Sequence, residues 1–180
     1  MISTSIPNIF DEIKAEDEDM TGQILATQEG IKSVGVGKRG SRELTAELLE
    51  RIVVEIQAGV VPDVVKGAFL AGLLMKGPTH AECRLDACFE TPILDDPEKM
   101  VGTIAAEIPP ALKLICQTLL SKQELSTAEA LELGRFLMSS QKGDGARGLA
   151  ASVLRVRYET PDEYAGLWQS LAETFTPEFV

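Results

Sequence analysis

The chain has 180 residues, 44% of them hydrophobic, and a formal net charge of −11. That length suffices to bury about 70% of the unfolded surface in one domain or two small ones, without a metal or disulfide staple. The acidic excess opposes binding to nucleic acid or to an anionic membrane surface, and no apolar run approaches the ~20 residues of a membrane span.

Aromatic residues make up only 5% of the chain, and neither short alternating runs nor Asn-Gly hairpin signals occur. The expected class is therefore all-α, a helical bundle. The N-terminus lacks a basic-then-apolar signal pattern. Three cysteines, an odd number in helical segments, fit buried thiols in a reducing, cytoplasmic compartment better than a disulfide framework.

Residues 1–42 are expected to be an N-terminal arm and a linker. Pro7 to Ala15 can form a short helix with Ile9, Phe10 and Ile13 on one side; an acidic run, Glu16 to Asp19, precedes a further helix from Thr21 to about Glu29. Gly35 to Arg42 is the one basic, glycine-rich stretch. Its backbone amides with Lys38, Arg39 and Arg42 can hold a phosphate. It has neither the strand-loop-helix setting nor the terminal Lys-Ser/Thr pair of a P-loop, so a solvated linker is the default reading.

From Glu43 the pattern is helical. Leu48, Leu49, Ile52, Val53 and Ile56 recur at three and four residues, with Glu47, Glu50, Arg51 and Glu55 on the water side. Thr45 caps the start and Gly59 provides a left-handed residue past the end. A second helix opens at Pro62 and stops at Lys76-Gly77. On it Gly67, Ala68, Ala71 and Gly72 admit a close neighbour, while Phe69, Leu70, Leu73 and Leu74 fill a core. Thr79 and Glu82 form a capping box for a third helix. Leu48, Ile52, Val53, Ile56, Phe69 and Leu73 exceed what one three-helix unit encloses, which makes them core or interface candidates.

After a linker from Thr91 to Asp96, helices are expected from Asp95 to about Glu107, Ala111 to Ser121, Ser126 to Gln141, Asp144 to Arg157, and Pro161 to about Phe175. Between residues 43–82 and 124–163 the pattern repeats at a spacing of 81 without a gap. Glu43, Leu44, Asp63, Gly67, Leu73, Thr79 and Glu82 meet Glu124, Leu125, Asp144, Gly148, Leu154, Thr160 and Glu163. These identities fall on caps, turns and stripe positions, so the bundle is expected to consist of two tandem, related helix-turn-helix-turn-helix units, 43–96 and 97–180. The Ala111–Ser121 helix has the Gly-rich stretch as its counterpart in this frame.

Chemistry-bearing sets are few. His80 and Cys83 are two possible metal ligands where zinc wants four, and Cys88 points away on a helix. The single His leaves no second choice for a Cys-His nucleophile. The carboxylate pairs Glu43/Glu47 and Asp95/Asp96 sit where helix faces and caps put them. Tyr158, Tyr164 and Trp168, near Arg147, Arg155 and Arg157, are residue types that stack bases. The i, i+4 spacing of Tyr164 and Trp168 reads instead as one packed stripe of the last helix. No catalytic, metal or cofactor residue is assigned.

The stretches LTAELLERIVVEIQAGVVPDVVKGAFLAGLLMKGPTHAE and ELSTAEALELGRFLMSSQKGDGARGLAASVLRVRYETPDEYAGL resemble the N-terminal helical domain of anthranilate phosphoribosyltransferase and its relatives in glycosyl transferase family three, above all in the Lys-Gly-x-Thr-x-x-Glu ending. The resemblance implies a helical part that packs on a larger α/β catalytic domain and forms a homodimer contact. The Gly-Thr-Gly-Gly-Asp phosphate loop, the Lys-His-Gly-Asn motif and the acidic metal-binding pair have no counterpart in these 180 residues. The expected role is a non-catalytic association domain; the alternative is a segment of a longer transferase whose catalytic domain lies beyond residue 180.

Overall fold

The computed structural model describes residues 24–37, 40–157 and 159–175. These form α1 (Ala26–Val34), α2 (Ala46–Gln57), α3 (Asp63–Lys76), a 3-10 helix (Glu82–Cys88), α4 (Pro97–Ile104), α5 (Pro110–Leu120), α6 (Thr127–Leu137), α7 (Asp144–Val156) and α8 (Pro161–Ala172). The protein is an all-α bundle, with no strand among the described residues. None of these helices is long and apolar enough to cross a membrane.

The middle of the bundle is the α3–α7 crossing, and glycine makes it possible. A Cβ on Gly67 would run into the Gly145 backbone on α7, and a Cβ on Gly148 into Val64 O and the Ala68 amide on α3. With hydrogens in place of side chains the two helices touch backbone to backbone. Their other faces carry Phe69, Leu70, Leu73, Leu149 and Val153, all at 0% exposure. Ile52 and Ile56 of α2 are buried in the same core, while Leu48 and Val53 pack half-buried against it. The apolar stripe is thus occupied within the chain.

The Pro7–Ala15 segment lies outside the described residues. Two elements depart from the expectations. The helix expected from Thr21 to about Glu29 runs instead over Ala26–Val34, with Gly30 facing Phe69 and Ile52 and with Ala26 and Val34 buried. α1, which falls in the stretch expected to be arm and linker, therefore belongs to the core. Its first turn is capped from outside its own segment: Glu55 accepts from the Ala26 amide at 2.6 Å, the Thr27 amide at 2.9 Å and the Thr27 hydroxyl at 2.7 Å. Glu55, expected to face water, is half-buried by this duty. α1 also packs against α2 and α3, as α5 does against α6 and α7.

The second departure is the 3-10 helix, where an α-helix was expected. α8 lies close on α6 because Gly166 faces the Thr127 and Leu131 backbone and Gly134 faces Ser170. Leu85 and Val53 stand 81 residues before these glycines, and their bulk forbids the same approach. Asp86 then turns the chain back, accepting from the Ile93 amide at 2.7 Å and the Leu94 amide at 3.1 Å.

Candidate functional site

Where α3 and α7 end, each chain corner is fastened by a buried glutamate. Past Lys76, Gly77 takes a positive φ of 88°, and the chain reverses into Thr79. Glu82 Oε1 accepts from the Leu44 amide at 3.0 Å, while Oε2 accepts from the Thr79 amide and from Lys76 Nζ, both at 2.7 Å. The other corner is built alike. Glu163 Oε1 accepts from the Leu125 amide at 2.8 Å and from the Arg157 guanidinium, and Oε2 accepts from the Thr160 amide at 2.9 Å. Each threonine hydroxyl accepts in return from the glutamate amide.

Glu82 and Glu163 are 1% and 0% exposed. Burial pushes both carboxyls up; the Lys76 ammonium with the Thr79 and Leu44 amides outweighs it at Glu82, and the Leu125 and Thr160 amides with Arg157 outweigh it at Glu163. Both are held below the ordinary glutamate value. Saturated in this way, they are poor general bases. The capping box was legible from Thr-x-x-Glu. The clasp on residues 44 and 125 was not, although a Lys or Arg six residues before each glutamate signals the ion pair.

Between the two corners opens a cleft of about 560 Å³, with Lys76, Arg157, Lys122, Glu124, Thr160 and Ser41 in its wall. The Gly-rich stretch reaches it through Ser41, whose hydroxyl donates to Val34 O at 2.7 Å. Of the anion-binding candidates on that stretch, Lys38 and Arg39 lie outside the described residues. Arg42 is exposed, and its amide donates to Ser33 O at 2.8 Å.

The arginines near the C-terminus are separated. Arg147 donates to Ser139 O at 2.7 Å and lies 4.6 Å from the Phe136 ring centroid; Arg157 is buried on Glu163; Arg155 is exposed. Expected to be solvated or paired with acids, Arg155 takes the first course and Arg157 the second. Tyr158 lies outside the described residues.

Tyr164 and Trp168 correct a further expectation. They do stack on each other, with ring centroids 6.4 Å apart and planes at 11°, but outside the core, 62% and 55% exposed. The reason is the rotation of α8. Its Gly166 and Ser170 side meets α6, which turns positions 164 and 168 outward. Met138, Leu167 and Leu171 join them around a shallow hollow edged by Glu159, and Phe175 stands 51% exposed.

His80 is exposed; of the cysteines expected to be buried only Cys116 is, with Cys88 half-buried and Cys83 exposed. Among the described residues no three His, Cys, Asp or Glu side chains come together as a metal site. No protein-family model matches the chain, and neither the curated proteins nor the solved structures yield a match.

Proposed function

We propose that this chain is a non-catalytic helical association domain that pairs with a second copy of itself through the α8 face. The observation that carries the reading is the stacked, outward Tyr164–Trp168 pair. Exposed apolar patches of this kind on a soluble domain mark interaction sites, and aromatic residues are enriched where interfaces are anchored.

Two further observations support self-association. Positions 81 residues before Met138, Tyr164, Leu167, Trp168 and Leu171 hold Gln57, Cys83, Asp86, Ala87 and Glu90, with no aromatic among them, so the aromatic face is particular to the second half of the chain. The matched corners at Glu82 and Glu163 support reading the chain as one unit used twice, and the aromatic face as an addition to the second. Arg135 and Glu173 pair at 2.6 Å between α6 and the end of α8, so both charge signs stand at the surface near that helix despite the net charge of −11. The setting we infer is cytoplasmic, with the free thiols in support.

A single tryptophan makes the test direct. Raising the concentration through the association range moves Trp168 emission to the blue as its ring leaves water. An emission maximum that stays fixed from nanomolar to high micromolar protein contradicts the proposal.

The second reading, a segment of a longer phosphoribosyl or glycosyl transferase, has the Lys-Gly-x-Thr-x-x-Glu motif in its favour. A coding sequence that continues past Val180 into a Gly-rich phosphate loop supports it. Phosphoribosyl transfer to anthranilate by the purified chain, above a buffer blank, sinks the non-catalytic reading.

A further inference from the structure

Arg157 carries a donor with nothing to bond. The residue is 9% exposed, its NH2 group is taken by Glu163, and its buried Nε–H has no partner among the described residues. Buried donors are almost always satisfied, and one left over in a cavity wall asks for a ligand. The wall around it is rich in donors. Lys76 gives one of its three N–H groups to Glu82. The Thr160 hydroxyl accepts from the Glu163 amide, which leaves its own proton to donate. Lys122, exposed and held at a φ of 61° just past α5, makes no ion pair among the described residues. Among the described residues Glu124 is the one carboxylate in the wall, since Glu82 and Glu163 are spent on backbone amides.

We propose that the cleft binds a small oxyanion, a carboxylate or a phosphate, anchored by Arg157 and Lys76 and closed by Lys122. Its volume of about 560 Å³ is within the range of small-molecule sites. Planar guanidinium matches two oxygens of such a group at once. Arg157 lines the cleft, and an oxyanion seated on its guanidinium gives Nε–H the acceptor it lacks among the described residues. This goes beyond the association reading and uses none of its residues.

The test is a titration of the full ¹⁵N-labelled chain, following the Arg157 side-chain Nε–H signal and the Ser41 and Thr160 amides. Inorganic phosphate and acetate are added in separate arms, with sodium chloride at matched ionic strength as the reference. A saturable shift, with slowed exchange of Nε–H with water, is expected in at least one arm. Saturation by phosphate alone assigns a phosphate ligand; saturation by acetate alone assigns a carboxylate. Because Arg157 variants threaten the fold through Glu163, the companion variant is Lys122→Gln, expected to weaken binding about three- to tenfold with the melting temperature unchanged. No saturation in either arm, the same response to chloride, or undiminished binding by Lys122→Gln overturns the assignment.

Discussion

Gly67 lies against the backbone of Gly145, so close that a methyl group on it would overlap the facing peptide, and three residues along each helix Gly148 meets Val64 in the same way. The α3–α7 crossing therefore depends on hydrogens at 67 and 148. Gly148→Ala is expected to destabilise the protein by about 1–3 kcal/mol through overpacking, lowering the melting temperature by roughly 2–4 °C per kcal/mol. A methyl group at Gly102 on α4 would meet nothing within 4 Å, so Gly102→Ala should be neutral or stabilise by up to ~1 kcal/mol. Thermal melts of both variants check the pair.

Three hydrogen-bonded glutamates make stability depend on pH. Glu55, Glu82 and Glu163 are held below the ordinary value by the hydrogen bonds they accept, against the opposing effect of burial. A depressed folded-state value means that the stabilisation is complete above the unfolded glutamate value of about 4.3, and is lost as pH falls through the lower folded values. Denaturant midpoints should hold steady down to about pH 5 and then drop. Glu163→Gln should flatten part of that drop.

Removing Glu163 outright should cost more than charge alone. Glu163→Ala strands the Arg157 cation and leaves the Leu125 and Thr160 amides without their acceptor, a loss of about 3–5 kcal/mol. Because two amides remain unpaired, replacing Arg157 by leucine as well should not restore wild-type stability. Urea titration of the single and double variants measures this.

The thiols should separate by reactivity. Cys83 is exposed; Cys88 is half-buried, and burial raises its thiol; burial pushes Cys116 up to about 12. Because the thiolate is the nucleophile, a thiol reagent on the folded protein should label Cys83 first and Cys116 only on unfolding. Peptide mass mapping over time gives the order.

Most of the helices were legible because their signals are local. Thr45, Ser126 and Thr160 accept from the amide three residues on, and the apolar spacing of α2 and α3 names their buried faces. What was not legible depends on distant partners. Nothing near Ala26 announces that Glu55 caps α1, because the two are 29 residues apart. Leu85 reads as a sound helix residue, and only the close α6–α8 approach permitted by Gly166 reveals why its segment tightens into a 3-10 turn. Tyr164 and Trp168 share a face in sequence, but which way that face turns is decided by Gly166 and Ser170. The cleft joins Ser41, Lys76, Lys122 and Arg157 from four separate stretches, so no motif spells it.

The exposed Tyr164–Trp168 face makes the proposed self-association measurable. Tyr, Trp and Phe carry roughly 150–250 Å² each, so the open parts of Tyr164, Trp168 and Phe175 offer about 350 Å² per copy. A two-fold contact centred on them supplies over half of the ~1,200 Å² that a stable pair requires, with Met138 and Leu171 adding to it. Light scattering across a dilution series should give twice the single-chain mass of 19.4 kDa at micromolar concentration and above, and Tyr164→Ser with Trp168→Ser should return it to the monomer value. A wild-type mass that stays at 19.4 kDa on concentrating contradicts self-association through this face.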